Sequence, residues 1–69
     1  MTYRVYDERK HGDWFESEEF KNLDEANNEA VYEWYHLTKR EQKNRHIYVA
    51  AADGSGYAPE GAFDSDRMR

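Results

Sequence analysis

Apolar and polar residues alternate over residues 2–7, TYRVYD, with Tyr3 and Val5 set against Arg4 and Tyr6. A period of two is the mark of a strand, and apolar character on both sides predicts one at least half covered on each face. ERKHGD follows, in which Gly12-Asp13 supplies a turn signal. Residues 14–20, WFESEEF, read as a second strand, so the two predict a hairpin. The parity of this second strand is uneven. Simple alternation sets Trp14 and Phe20 on one face and Phe15 on the other, and a bulge or a strand end near Ser17 would reconcile them.

The period then changes to between three and four. Leu23, Ala26, Ala30, Trp34 and Leu37 fall on one helical stripe. Asn22, with Glu25 three residues on, has the spacing of an N-cap and its capping box. Acids lie early and bases late, as the helix dipole prefers. Thr38 and Glu41 repeat the capping-box spacing, with Leu37 ahead as a staple. This predicts a main helix over 23–37, a break, and a short second turn over 39–44; one continuous helix to Asn44 is the competing reading. RHIYVAA then reads as a third strand, with Ile47 and Val49 on one face and Tyr48 on the other.

Strand–strand–helix–strand has few compact solutions, since the crossover must be right-handed. The expectation is an α+β fold: a single small ββαβ domain over residues 1–52, with a three-stranded antiparallel sheet in order 2-1-3. The main helix packs on one face and the short second turn precedes strand three. Residues 53–69, rich in glycine and without periodicity, are expected to be a flexible or loosely docked tail, ordered where Tyr57 and Phe63 dock.

Composition narrows the class. A core in a chain of 69 residues seldom supplies more than roughly 3–5 kcal/mol of net stability. The chain has no cysteine, which excludes disulfides and thiolate metal sites and is compatible with a reducing compartment. Hydrophobic residues make up 38% of the chain, low enough to suggest disorder, but aromatics make up 16%, and aromatics are what disordered chains lack. A folded domain follows. No apolar run approaches the roughly 18 residues of a membrane span, and no signal-peptide core follows Met1. The expectation is a soluble, cytoplasmic protein, monomeric or weakly dimeric, with no membrane association.

The net charge of −5 is unevenly placed. Residues 13–33 carry Asp13, Glu16, Glu18, Glu19, Asp24, Glu25, Glu29 and Glu33 against Lys21 alone, whereas 38–46 carry Lys39, Arg40, Lys43 and Arg45 against Glu41. Two binding surfaces follow. The first is the helix face with Glu25, Glu29 and Glu33 at steps of four and no lysine placed to offset them, beside Tyr32, an aromatic opposite the core stripe with His36 one turn later. Such a surface suits another protein as partner. The second joins the uncovered sheet face, with Arg4, Tyr6, Tyr48 and Phe15, to the basic turn with Lys39, Arg40 and Lys43, and suits nucleic acid through stacking and phosphate contacts. Each has a plainer reading: acids that keep a small domain in solution, tyrosines of an ordinary half-exposed strand, and bases that complement a helix end. The open face could also pair two copies.

Catalysis finds no support in the residues. Ser17, Ser55 and Ser65 lie in no nucleophile-elbow context, and His11, His36 and His46 are too scattered for a metal motif. DGSGYAPEG lacks both the lysine of a phosphate loop and the carboxylate pattern of a calcium loop. The expectation is a non-enzymatic interaction protein without cofactor or metal.

The blocks YRVYD, FKNLDEA and LTKREQKNRHIYVAA, which span most of residues 2–51, resemble small uncharacterised proteins of prophages and mobile elements of Gram-positive bacteria. The resemblance rests on strand and cap motifs and carries no catalytic residue. It implies a setting in which small accessory proteins bind host proteins or nucleic acid.

Overall fold

The computed structural model describes residues 1–10 and 12–68, leaving His11 and Arg69 outside the described residues. Strands β1 (Tyr3–Arg9) and β2 (Trp14–Glu16) form the hairpin. Helix α1 (Leu23–His36) and the short helix α2 (Lys39–Gln42) follow, then β3 (Arg45–Ala51) and a 3-10 turn at Ser65–Met68. The sheet is antiparallel throughout, in order β2-β1-β3. The α+β architecture expected from the sequence is the one found.

The local signals act as read. Asn22 Oδ1 accepts from the Glu25 amide at 2.8 Å, capping α1. Leu37 breaks the helix in an extended conformation, and Thr38 and Glu41 close a reciprocal capping box that starts α2. The two hydrogen bonds from Thr38 hold the Glu41 carboxyl below its usual range. Continuation of α1 to Asn44 is thereby excluded.

Ala26 and Ala30 are fully buried and let α1 approach the sheet closely, while Trp34 fills the space at the far end of the helix. They meet Val5, Ile47 and Val49, with Tyr3, Phe20, Leu23, Leu37 and Phe63 closing the rim.

The second strand is shorter than residues 14–20 and carries the bulge that its uneven parity allowed for. β2 covers only Trp14–Glu16, and Phe20 rejoins the sheet through a lone bridge to Tyr3. Asp7 opposes Phe15 and Val5 bonds Ser17, but Tyr3 bonds Phe20. Two steps along β1 are therefore matched by three along the partner. The extra residue reverses the parity, as a bulge does. Phe15 and Phe20 consequently lie on the helix side, and Trp14 lies on the open side with Tyr6. The pairings of Trp14 with Phe20, and of Phe15 with the open face, are both corrected by this one-residue slip. Ser17 Oγ accepts from the Val5 amide at 2.9 Å, so a side chain stands in where the ladder is interrupted.

Beyond residue 52 the chain turns back along β3. The outward amides of Ile47, Val49 and Ala51 donate in turn to Ser65 Oγ, the Phe63 carbonyl and the Tyr57 carbonyl, at 2.7–3.0 Å. A long edge strand is thus covered. Asn27 of α1 clamps the same segment twice, donating to the Gly61 carbonyl at 2.9 Å and accepting from the Phe63 amide at 2.8 Å. Gly61 makes this return with φ of 88°, a conformation that costs other residues strain. Ala62 enters the core and Ser65 is fully buried, whereas Tyr57 stays half exposed. No helix among the described residues is long and apolar enough to cross a membrane.

Candidate functional site

Two surfaces result, one on α1 and one on the bare side of the sheet. On α1, Glu25 is exposed while Glu29 and Glu33 are half-buried. The drift follows from the spacing: four residues overshoot a full helical turn by about 40°, so each acid sits nearer the sheet than the last. Tyr32 is 60% exposed and stacks against His36 with ring centroids 3.9 Å apart. The His36 ring is tethered by a 2.8 Å hydrogen bond between Nδ1 and the Tyr32 carbonyl. The expected helix-face residues are therefore brought together, with Tyr32 on the crest and the acids along one flank.

Between that flank and β2 lies a cleft of about 240 Å³, lined by Asp7, Arg9, Phe15, Ser17 and Glu33 among others. The Arg9 guanidinium stacks over Phe15 at 4.3 Å. Asp7 Oδ2 accepts from Arg45 at 2.8 Å, but Asp7 Oδ1 is buried without a hydrogen-bond partner, as is Arg9 Nε. Burial, and then the charges of Glu29 and Asp7, push the Glu33 carboxyl above its usual range, with Arg45 opposing. Glu25, Glu29 and Glu33 form no ion pair among the described residues.

The bare side carries an aromatic row across all three strands. Trp14 and Tyr6 lie 6.4 Å apart by ring centroid, Tyr6 and Tyr48 stack at 5.4 Å, and Tyr48 lies 4.7 Å from His46. Trp14, 59% exposed, was missed as a member of this face because of the slip described above. Arg4 is not available to an incoming group: it donates to the Ser17 carbonyl at 2.7 Å and faces Glu19 at 3.3 Å and Glu16 at 3.9 Å. The Tyr48 hydroxyl donates to Glu8 at 2.9 Å. Burial and this bond push Tyr48 up to about 12, and burial followed by Glu16 raises Tyr6. Both hydroxyls report an acidic surrounding.

The basic turn sits apart from that row. Lys43 borders Arg9 and Lys10 at one end of the sheet, whereas Arg4 stands five strand residues away from Arg9, about 17 Å along β1. Lys39 and Lys43 line a groove of about 470 Å³ with Trp34, Tyr35, Gln42 and Met68. Arg40 is exposed on α2. The residues expected to act jointly on nucleic acid are thus divided between two places.

The C-terminal segment adds a group absent from the sequence reading. Asp64 and Asp66 meet His46 at the end of β3, with Glu8 on the far side of its ring. Compared with known proteins, the chain matches no family model, no curated protein and no solved structure.

Proposed function

We propose that this domain is a non-enzymatic binding module whose partner is a basic segment of another protein. The segment docks along the acidic flank of α1, with Glu25, Glu29 and Glu33 as the recognising charges and Tyr32 as the aromatic anchor. One observation carries the reading: these three carboxylates form no ion pair among the described residues, Glu33 feeling Arg45 only at longer range, and they run into a cleft where Asp7 Oδ1 lacks a hydrogen-bond partner. On the sheet, by contrast, Asp7, Glu8 and Glu19 each meet a cation or hydroxyl of the domain's own. A lysine or arginine placed between Glu33 and Asp7 would satisfy both, and Tyr32 beside them is a residue type enriched at binding hot spots.

The test is an amide-shift titration with three probes at low salt: a lysine- and arginine-rich peptide, an acidic peptide of equal length, and a single-stranded oligonucleotide. The basic peptide should shift Glu29, Tyr32 and Glu33, and the response should weaken with salt. Glu29→Lys/Glu33→Lys should abolish it. An unchanged response in the reversed variant overturns the proposal. Oligonucleotide shifts at Tyr6, Tyr48 and Lys43 without any peptide response on α1 would favour nucleic acid as the partner instead.

A further inference from the structure

The cluster around His46 has an arrangement that ion pairing alone does not require. Ser65 is fully buried and its Oγ accepts from the Ile47 amide at 3.0 Å. With Ser65 pinned inward, its neighbours Asp64 and Asp66 turn outward beside the imidazole. His46 Nε2 lies 2.7 Å from Asp64 Oδ1 and 3.4 Å from Asp66 Oδ2. One ligand atom from each of the three residues lies within 4.8 Å of the other two. The second ring nitrogen faces a different carboxylate: Nδ1 is 3.6 Å from Glu8 Oε2, and Glu8 is itself held by the Tyr48 hydroxyl.

We propose that His46, Asp64 and Asp66 form a binding site for a divalent transition-metal ion of the zinc class, with Glu8 orienting the imidazole from behind. One imidazole nitrogen and two carboxylate oxygens are a donor set that zinc and cobalt accept. Ligand atoms about 2.0–2.2 Å from a tetrahedral ion stand roughly 3.4 Å from one another, and the separations here bracket that value. Glu8 stands on the far side of the ring, its Oε2 3.6 Å from Nδ1, and an ion bound at Nε2 would take the place of the hydrogen bond that this nitrogen makes with Asp64 Oδ1. Three carboxylates around one ring also leave excess negative charge in either protonation state, which a divalent cation offsets. A cleft of about 360 Å³ bordered by Glu8, His46 and Asp66 gives solvent and ion a way in. Since His46 belongs to β3 and both aspartates to the C-terminal segment, the ion would tie the two together, a staple of the kind small cysteine-free domains use.

The test is titration of the metal-free protein with zinc and cobalt, with magnesium as the hard-ion control. It is read by long-range imidazole nitrogen spectra, by calorimetry and by the visible absorption of cobalt. One equivalent of zinc should move Nε2 of His46, a chelator should reverse the change, and cobalt should gain ligand-field bands. Glu8→Gln should weaken binding roughly tenfold, Asp66→Asn by more, and His46→Gln should remove the one-equivalent response. Absence of any His46 response to excess zinc overturns the proposal. So does binding of undiminished strength in His46→Gln and Asp66→Asn, or magnesium binding as tightly as zinc; these outcomes leave the cluster as a hydrogen-bonded link between β3 and the C-terminal segment.

Discussion

On the helix side of the domain, Glu25, Glu29 and Glu33 form no ion pair among the described residues, while on the bare side of the sheet Glu8 meets His46 and Tyr48, and Glu16 and Glu19 meet Arg4. The two sides are built from the same residue types and differ in what surrounds them. On the sheet side each of these acids has a partner of the domain's own, so the aromatic row is held in place by its own polar groups. The helix flank has been left unmatched, with like charges at steps of four that cost a few tenths of a kcal/mol per pair. Unpaired charge running from an exposed helix face into a cleft is the feature of the flank that the sheet side lacks, and it is the basis of the proposed docking of a basic segment there.

The largest effect tests what the two sides share. Trp34 lies beneath α1 and against the sheet, 5% exposed. Trp34→Ala should cost about 3–5 kcal/mol, which equals the roughly 3–5 kcal/mol that a core of this size supplies. The variant should therefore be unfolded at room temperature by circular dichroism, and both surfaces should vanish together. A folded variant would mean that the sheet side stands without the helix, and the comparison would have to be drawn between independent units.

A smaller change separates the sides. Asn27 of α1 hydrogen-bonds the C-terminal segment twice through its side chain. Asn27→Ala leaves the Phe63 amide and the Gly61 carbonyl without that partner, at about 1–3 kcal/mol. Hydrogen exchange should quicken at Val49 and Ala51, whose amides depend on the same segment, and His46 should lose its contact with Asp64. The acidic flank should keep its amide shifts. Loss of order on the flank as well would show that the segment supports α1 generally.

How much of this could be read beforehand depends on range. Both helix starts were legible because a cap and its partner lie three residues apart, as Asn22 with Glu25 and Thr38 with Glu41 do. The core stripe was legible for the same reason. Phe15 was misplaced because the extra residue between Ser17 and Phe20 breaks simple alternation between the two aromatics; uneven parity signals such a bulge but not which aromatic it turns to the helix. The signal was present in Ser17 itself, a hydroxyl within a strand pattern, able to take the place of a carbonyl in the ladder. The Asn27 clamp reaches Phe63 across 36 residues and leaves no local trace. The His46 cluster leaves a faint one, in the Asp64-Ser65-Asp66 alternation that puts two carboxylates on either side of an inward serine.

The smallest effects are the most direct comparison, because pH titrates each side separately. Tyr48 is raised to about 12 by burial and its bond to Glu8, against about 10 in an unfolded chain. A raised value means that the folded state keeps a proton the unfolded state has lost, so the contribution is whole below pH 10 and disappears as pH climbs from there through 12. Tyr48→Phe should remove this alkaline slope from urea-unfolding measurements. Glu33 is also raised, by burial and then by Glu29 and Asp7, and the sign is the same. Its contribution is present below the ordinary carboxylate value and lost as pH rises through the raised one, so at neutral pH the flank holds its charge at some cost. Glu33→Gln should flatten that acid-side slope, and carbon-detected carboxyl titration should place Glu33 above its unfolded value. A cation docked between Glu33 and Asp7 reverses the balance, so the Glu33 titration should fall when the basic peptide is present while that of Tyr48 stays where it was. If both move together, or neither does, the two sides do not differ in the way their ion pairs imply.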